Sequence, residues 1–203
     1  MTITSKSSNS SRICVFCGSS DGVDPAYLQE AVNLGRALPA NGMGLVYGGA
    51  SIGLMGALAD AALEGGAEVI GVIPKALEAR EIAHNNLSEL HVVAGMHERK
   101  ARMASLADAF IALPGGYGTL DEFLEILTWA QLGIHQKPCV LINTAGYYDG
   151  LLSFLDHAVA ENFLRSHNRA LILPAEDASH ALALIQKSLS RAVPESIRPL
   201  PQP

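Results

Sequence analysis

A glycine-rich stretch, residues 114–122, constrains the fold of this chain more than any other part of the sequence. It reads Pro-Gly-Gly-Tyr-Gly-Thr-Leu-Asp-Glu and lies between two segments of different periodicity. Residues 109–113, which precede it, are all apolar, as is typical of a parallel strand buried on both faces. After it, apolar residues recur every three or four positions, which indicates one face of a helix. The stretch is therefore predicted to be a turn from a buried strand into a helix.

The residues of this turn leave two interpretations open. Glycines at a strand exit permit unusual backbone angles and leave no Cβ to block a ligand, while the first N–H groups of a helix attract anions. The turn can therefore cradle a phosphate. Alternatively, Thr119 is the N-cap of the helix and Glu122, three residues on, completes a capping box. The stretch is not a P-loop or a Gly-x-Gly-x-x-Gly motif, because it lacks their residues and spacing.

A second glycine turn between a predicted strand and a predicted helix occurs earlier in the chain. There, a predicted strand exits through Gly48 and Gly49 into another helix. The first predicted strand also opens into a turn of small residues, which contains Gly18 and Ser19. The N–H and hydroxyl groups of these turns are donors that can contact a nucleotide.

Strands and helices alternate along the chain. This alternation predicts a single-domain, Rossmann-like α/β fold, with a doubly wound parallel sheet and helices on both faces. Ligands of such sheets bind beyond the carboxyl ends of the strands, where the glycine turns are expected. Residues 75–87 show no clear period and are predicted to be an irregular loop at that edge. The other predicted strands are residues 13–16, 44–47, 69–73, 90–93, 139–142 and 171–173, and the other predicted helices include 25–41, 97–107, 151–161 and 181–189.

Length and composition are consistent with one such domain and two short extensions. A chain of 203 residues can bury a sizeable core, which we assign to residues 12–191. The serine-rich residues 1–11 are predicted to be a disordered arm, and the proline-rich residues 192–203 a loose tail. A formal net charge of −6 argues against a nucleic-acid partner, because binding to a duplex requires a basic surface.

The cysteines and histidines restrict the chemistry further. Cys14, Cys17 and Cys139 are too few, and odd in number, for a secreted disulfide framework, so a cytoplasmic location is expected. Cys14 and Cys17 have the spacing of a redox motif, but the motif begins inside a predicted strand, so a packing role is expected for both. The seven histidines lack the spacing of a ligand pair. They are therefore interpreted as surface or capping residues, and neither a metal nor a cofactor is expected. No apolar run reaches the roughly 18 to 20 residues of a membrane span.

The helix predicted at residues 97–107 carries two cations beside its apolar side. At about 100° per residue, Arg99 and Lys100 fall on the two borders of the apolar stripe. In one interpretation their stems lie along the edge of the core and their charges remain in water. In the other, both cations point inward to an anionic ligand, for which the planar fork of arginine is well suited.

Three motifs occur in a fixed order over roughly residues 13–189. They are the glycine turn of residues 48–56, the run Glu98-Arg99-Lys100, and residues 114–119 followed by Glu122. Together they resemble the motif set of the Lonely Guy family, the cytokinin riboside 5′-monophosphate phosphoribohydrolases. The resemblance implies a Rossmann-like fold, a homodimer, and hydrolysis of the N-glycosidic bond of N6-modified adenosine monophosphates. Relatives of the family have also been labelled lysine decarboxylases.

The resemblance also implies which residues form the site. Arg99 and Glu122 match the catalytic pair of the family. The carboxylate would stabilise an oxocarbenium-like state or deprotonate water, and these two roles stay open. Arg99 would orient that carboxylate or the sugar hydroxyls and keep the carboxylate ionised. The backbone of residues 115–119 would take the 5′-phosphate. The implied nucleotide-binding positions are Glu81, Lys100, Gly115, Gly116, Tyr117, Gly118, Thr119, Leu120, Asp121 and Thr128.

A different class of function also stays open. Similar glycine-turn domains occur in binding proteins that only carry a phosphorylated nucleotide or cofactor, such as molybdenum-cofactor carriers. A carrier needs the glycines but not an inward carboxylate paired with a guanidinium, so Arg99 and Glu122 favour the hydrolase. The motifs do not distinguish plain from prenylated adenine as the base of the substrate.

A lysine decarboxylase would need a lysine that forms a Schiff base with pyridoxal phosphate. The lysines considered, which show no signature of that cofactor, are Lys75, Lys100, Lys137 and Lys187.

Overall fold

The computed structural model describes residues 10–78 and 83–191 of the chain. Strands and helices alternate in this part, as predicted, except that two consecutive helices precede the last strand. The strands are β1 (Arg12–Phe16), β2 (Gly44–Tyr47), β3 (Val69–Pro74), β4 (Glu89–Val93), β5 (Ala109–Ala112), β6 (Cys139–Ile142) and β7 (Ile172–Ala175). The helices are α1 (Pro25–Ala40), α2 (Gly53–Glu64), α3 (Lys75–Glu78), α4 (Met96–Leu106), α5 (Tyr117–Gln131), α6 (Asp149–Ala160), α7 (Ser166–Arg169) and α8 (Ala178–Arg191).

The strands of the described part form one parallel sheet in the order β4-β3-β2-β1-β5-β6-β7. β1 pairs with β2 on one side and with β5 on the other, with Ile13 opposite both Leu45 and Ala109. The order therefore runs outward from β1 in both directions, which confirms the doubly wound, Rossmann-like prediction. The switch in strand order lies between β1 and β5, where ligands of such sheets bind.

Both faces of the sheet are covered, which explains the nearly continuous apolar runs in the central strands. Successive residues of β1 contribute to two different cores, because side chains alternate between the faces of a strand. Ile13 and Val15 pack in the core that includes α1, α2 and α8, whereas Cys14 and Phe16 pack in the core that includes α4 and α5. Cys17 is buried in the first of these cores, so the two motif cysteines lie on opposite faces as free thiols. This arrangement supports the packing role expected for them.

The segment predicted to be an irregular loop, residues 75–87, contains more structure than its sequence suggested. Its first four residues form α3, and Ala83 forms an isolated bridge to Ala50, beside the second glycine turn. Residues 79–82, which include Glu81, lie outside the described residues. The short helix α7 was also missed, because four residues are too few to show a helical period.

Two residues of the predicted N-terminal arm make hydrogen bonds to the folded domain. Ser10 and Ser11, which we assigned to the arm, hydrogen-bond to the start of β2 and the turn before it. Ser10 Oγ donates to the Gly42 carbonyl (2.9 Å), and the Ser11 carbonyl accepts from the N–H of Gly44 (3.0 Å). Residues 1–9 and 192–203, the rest of the predicted arm and tail, lie outside the described residues. No helix in the described part of the chain is both long and apolar enough to cross a membrane.

Candidate active site

The exits of β1 and β5 are hydrogen-bonded to each other at the switch point. The Gly18 N–H donates to the Pro114 carbonyl (3.0 Å), and the Gly18 carbonyl accepts from the N–H of Met55 in α2 (3.3 Å). A Cβ on Gly115 would lie 2.9 Å from the Gly18 nitrogen and would also collide with Thr119. Glycine is therefore required at position 115, because the two turns approach each other too closely for a side chain.

The phosphate cradle predicted from the sequence corresponds to the start of α5. Gly116 is the N-cap, in an extended conformation and with no side chain to cap the helix. The N–H of Leu120 makes the first helical bond, to the Gly116 carbonyl (3.1 Å), so the N–H groups of the three residues before it have no partner within the helix. A Cβ at Gly116 or Gly118 would meet no atom within 4 Å, so the space beside them is open. These uncapped donors can bind an anion.

The capping-box interpretation is wrong. α5 begins at Tyr117, so Thr119 is the third helical residue rather than the N-cap, and Glu122 lies in the second turn. The helix starts earlier than its apolar period indicated, because its first turn contains Gly118 and the exposed Tyr117, which give no apolar period. The Thr119 side chain is buried against the Gly115 turn, whereas Tyr117 is 92% exposed.

Arg99 and Glu122 form a buried ion pair between α4 and α5. Arg99 Nη1 lies 3.4 Å from Glu122 Oε1, and the two residues are only 5% and 8% exposed. The guanidinium also donates from Nε to the Val72 carbonyl (2.9 Å) and from Nη2 to the Gly48 carbonyl (3.0 Å). A Cβ on Gly48 would overlap the guanidinium and lie 2.9 Å from Met55 Sδ. The glycine turn after β2 therefore makes room for Arg99.

Lys100 forms a second, more peripheral ion-pair cluster between the same helices. Its Nζ lies 3.0 Å from Asp121 Oδ2 and 3.1 Å from Glu125 Oε2. Burial acts to lower the pKa of Lys100, but the hydrogen bonds and charges of the two carboxylates outweigh it and raise the pKa. Since Arg99 and Lys100 are both buried, the interpretation that left their charges in water is wrong. The sequence could not show this, because the groups around the two cations, which include Val72, Gly48 and carboxylates of α5, are distant from them along the chain.

A cavity of about 290 Å³ opens at the switch point, beside the start of α5. Gly18 and Ser19 from the first turn line it, together with Gly115 and Gly116 from the cradle, so the structure brings these predicted residues together. Sequence reasoning missed the aromatic wall of this cavity, which is formed by Tyr27 and Tyr147. The available signal was a pair of tyrosines following a glycine just after β6, at the same edge of the sheet.

Two predicted binding residues lie away from the cradle. Gly49, with φ +81°, faces β3 and β4, and its carbonyl accepts from the N–H of His84 (3.0 Å). Thr128 is on an exposed part of α5, where its hydroxyl donates to the Leu124 carbonyl (2.8 Å). It borders a separate cavity of about 130 Å³ between α5 and helices α6 and α7.

The histidines include one that differs from the expectation of a surface or capping role. His84 is buried, and its Nε2 lies 3.0 Å from Asp60 Oδ1 while its Nδ1 accepts from the N–H of Asn86 (3.2 Å). This contact of His84 with Asp60 connects the segment that follows residue 82 to α2. Among residues 10–78 and 83–191, no three histidine, cysteine or acidic side chains are arranged to hold a metal ion.

Comparison with known proteins decides which family has this set of motifs. The chain is 53% identical over 176 residues to cytokinin riboside 5′-monophosphate phosphoribohydrolase LOG of Oryza sativa subsp. japonica, covering 87% of this chain and 73% of that protein. It is 52% identical over 184 residues to LOG4 of Arabidopsis thaliana, with 91% and 86% covered. This chain belongs to the Lonely Guy family.

The family model that matches the chain carries a different description. It is named "Possible lysine decarboxylase" and matches residues 55–185, which include all of α4 and α5. The fold of this Lonely Guy protein is also found in solved structures of more distant proteins. The Moco carrier protein of Chlamydomonas reinhardtii superposes with a TM-score of 0.68 at 23% identity, covering 90% of this chain and 99% of the carrier. At that identity, the likeness is one of fold.

Proposed function

We propose that this protein hydrolyses the N-glycosidic bond of an adenosine 5′-monophosphate, releasing the free base and ribose 5-phosphate. The observation that carries this proposal is the buried Arg99–Glu122 pair, which lies one helical turn beyond the uncapped start of α5. The relatives named as cytokinin riboside 5′-monophosphate phosphoribohydrolases support it at 52–53% identity. We further propose that the accepted bases include the N6-modified adenines of cytokinins.

The chemistry follows from placing the 5′-phosphate at the N–H groups of residues 117–119. The ribose would then extend toward Glu122, which follows Thr119 by one turn of the same helix. Departure of the purine leaves positive charge on the sugar, and a carboxylate held nearby stabilises that charge or removes a proton from the attacking water. Arg99 fixes the carboxylate in place and is itself fixed by two backbone carbonyls. The charges are therefore arranged before the substrate arrives, which is how electrostatic catalysis lowers a barrier.

The same geometry distinguishes the hydrolase from a carrier with a similar fold. A carrier of a phosphorylated molecule needs the cradle, which is provided by Gly115, Gly116 and the start of α5. It gains nothing from a carboxylate buried beside a guanidinium, since taking two charges out of water is costly. The presence of both groups beside the cradle therefore supports bond cleavage over a carrier function.

Lysine decarboxylation finds no support among the described lysines. A Schiff base requires a neutral amine, yet Lys100 is ion-paired with two carboxylates that raise its pKa. Lys137 Nζ donates to the Ala104 carbonyl (2.8 Å), and Lys75 and Lys187 are exposed. None of the four lies in the cavity at the switch point.

We also propose that the protein is a homodimer formed through an apolar face on α5 and α6. Although α6 is rich in leucine, valine and phenylalanine, none of its residues is buried. Phe154 is 63% exposed and Phe163, just after the helix, is 90% exposed. Apolar surface of this kind marks an interface. Leu124 and Leu155 line the small cavity on this face together with Thr128, so a role of Thr128 in binding would depend on the dimer.

The buried free thiols are consistent with a reducing cytoplasm, which we propose as the location of this protein.

The experiment that tests the proposed reaction compares a nucleotide with its nucleoside. Purified protein is incubated with AMP, with N6-isopentenyl-AMP and with the two corresponding nucleosides, and free base and ribose 5-phosphate are quantified. Binding energy from the phosphate positions the sugar, so the nucleosides are expected to lose kcat as well as affinity. Equal kcat/KM for nucleotide and nucleoside would contradict the cradle, and absence of free base with every substrate would contradict the hydrolase.

A further inference from the structure

Two consecutive tyrosines after β6 hold the backbone that leads from β5 into the cradle. Tyr148 Oη donates to the Leu113 carbonyl (2.7 Å), and Tyr147 Oη donates to the Gly115 carbonyl (2.7 Å). Tyr148 is buried, whereas Tyr147 is partly exposed and lines the cavity at the switch point. The two hydroxyls therefore bind carbonyls two residues apart on the same strand exit.

The turn between β6 and α6 places these tyrosines with little freedom. Ala145 and Gly146 both have positive φ, at 51° and 71°, which reverses the chain sharply. Asn143 Oδ1 accepts from the Tyr148 N–H (2.7 Å), which closes the turn. The Tyr147 ring makes edge contacts on both sides, with centroids 5.4 Å from Tyr27 and 4.9 Å from Tyr148. The Tyr147 hydroxyl is thus aimed by packing as well as by its hydrogen bond.

The carbonyl that Tyr147 holds belongs to the peptide joining Gly115 to Gly116. In a trans peptide the C=O and the following N–H point in opposite directions, so fixing the Gly115 carbonyl also fixes the Gly116 N–H. Rotation of this peptide is otherwise easy, because neither residue has a Cβ that restricts the backbone. After such a rotation a carbonyl oxygen would replace the N–H, and its partial negative charge would repel an anion.

We propose that Tyr147 is a positioning residue that keeps the Gly115–Gly116 peptide oriented with its N–H toward the 5′-phosphate of the substrate. This inference rests on the proposed function, since it assigns the phosphate to the start of α5. Tyr147 acts through the backbone and does not need to touch the substrate. Tyr148 is different: its buried hydroxyl binds the carbonyl of Leu113, just after β5, and so supports the fold of the strand exit.

The test removes one hydroxyl at a time. Tyr147→Phe keeps the ring between its neighbours and loses only the donor to Gly115. Tyr27→Phe is a second variant in the same cavity, because Tyr27 lines it and packs against Tyr147, whereas the hydroxyls bound to the strand exit are those of Tyr147 and Tyr148. The wild-type protein is the reference for all three variants. Tyr148→Phe provides a comparison in which a buried hydrogen bond is lost. For each variant, Kd for inorganic phosphate and for AMP is measured by calorimetry, with KM and kcat for AMP and a thermal melt.

In Tyr147→Phe, Kd for phosphate and KM for AMP are expected to rise by about 3- to 10-fold, as for the loss of one hydrogen bond. Its kcat and Tm should stay close to those of the wild-type protein. Tyr148→Phe should instead lower Tm, with a smaller effect on phosphate binding. Phosphate affinity that is unchanged in Tyr147→Phe, or reduced equally in Tyr27→Phe, would overturn the inference, as would a wild-type protein that binds neither ligand. A wild-type protein that binds phosphate without cleaving AMP would refute only the proposed hydrolase activity. The phosphate affinities of the variants would still test the role of Tyr147.

Discussion

Arg99 and Glu122 lie on different helices, yet they meet in a buried pair with 3.4 Å between Nη1 and Oε1. The position of Arg99 does not depend on Glu122 alone, because the guanidinium also donates to the carbonyls of Val72 and Gly48. The pair therefore connects β3 and the exit of β2 to the helix whose start forms the cradle. Perturbing the carboxylate, the guanidinium or the turn that holds them should affect the reaction in distinguishable ways.

Glu122→Gln is expected to reduce kcat by about 10²- to 10⁴-fold, the range for a positioned acid or base. Glutamine cannot carry the negative charge that stabilises the sugar cation. The variant should remain folded, because the amide oxygen can still accept a hydrogen bond from Arg99. Single-turnover hydrolysis of AMP and a thermal melt measure the two effects. Glu64→Gln, an exposed change on α2, is the control, and near wild-type turnover in Glu122→Gln would exclude Glu122 from the chemistry.

Gly48→Ala is expected to impair catalysis without a new charge or a lost functional group. The added Cβ would overlap the guanidinium of Arg99, so the arginine must move away from Glu122. We expect kcat for AMP to fall by at least about 10-fold, since misplaced catalytic groups cost large factors. Gly150→Ala, where a Cβ meets no atom within 4 Å, provides the matched glycine control. Equal activity of the two variants would show that the position of Arg99 is not critical.

Phe154→Lys is expected to convert the protein to a monomer. A charge placed on the exposed apolar face of α6 would have to be buried in the proposed interface, which is unfavourable without a partner. Size-exclusion chromatography with light scattering gives the mass of the variant and of the wild type. Val92→Lys makes the same change on β4, at the other end of the sheet. A monomeric wild-type protein, or a variant that remains dimeric, would place the interface elsewhere or remove it.

Protonation of His135 is expected to destabilise the fold in acid. Burial lowers the pKa of His135, and the nearby Lys137 charge acts in the same direction, although the bond to the Ile126 carbonyl opposes them. The unfolded chain therefore binds a proton more readily than the folded one. The stabilisation is fully present above the unfolded pKa of about 6.5 and is lost as the pH falls below it. The mechanism is local, because Nδ1 accepts from the Lys137 N–H (3.1 Å) and cannot do so once protonated.

Urea unfolding at a series of pH values measures this effect. His135→Gln removes the titrating group, so its free energy of unfolding should change less between about pH 7.5 and 5 than that of the wild type. His167→Gln, on the short helix α7, is the control and should keep the pH dependence of the wild type. The same slope in His135→Gln and the wild type would assign the acid sensitivity to other groups.

The sequence alone determined the architecture and the position of the cradle. Apolar runs followed by amphipathic segments predict strands and helices through local periodicity, and the glycines of residues 114–118 mark a strand exit. These signals depend on neighbours in the chain, so they are readable without the fold. The same holds for the motifs that resembled the Lonely Guy family, whose order along the chain is a property of sequence.

Only the tertiary structure decided how the site is built. The start of α5 at Tyr117, and with it the failure of the capping box, lies in a glycine-rich stretch that has no apolar period. The burial of Arg99 and Lys100 involves distant groups, namely the carbonyls of Val72 and Gly48 and the carboxylates of α5. The hydrogen bond from the Tyr147 hydroxyl to the Gly115 carbonyl joins residues 32 positions apart. Contacts between distant residues leave no periodic trace in a sequence, because they are set by the packing of the strands and helices that carry them.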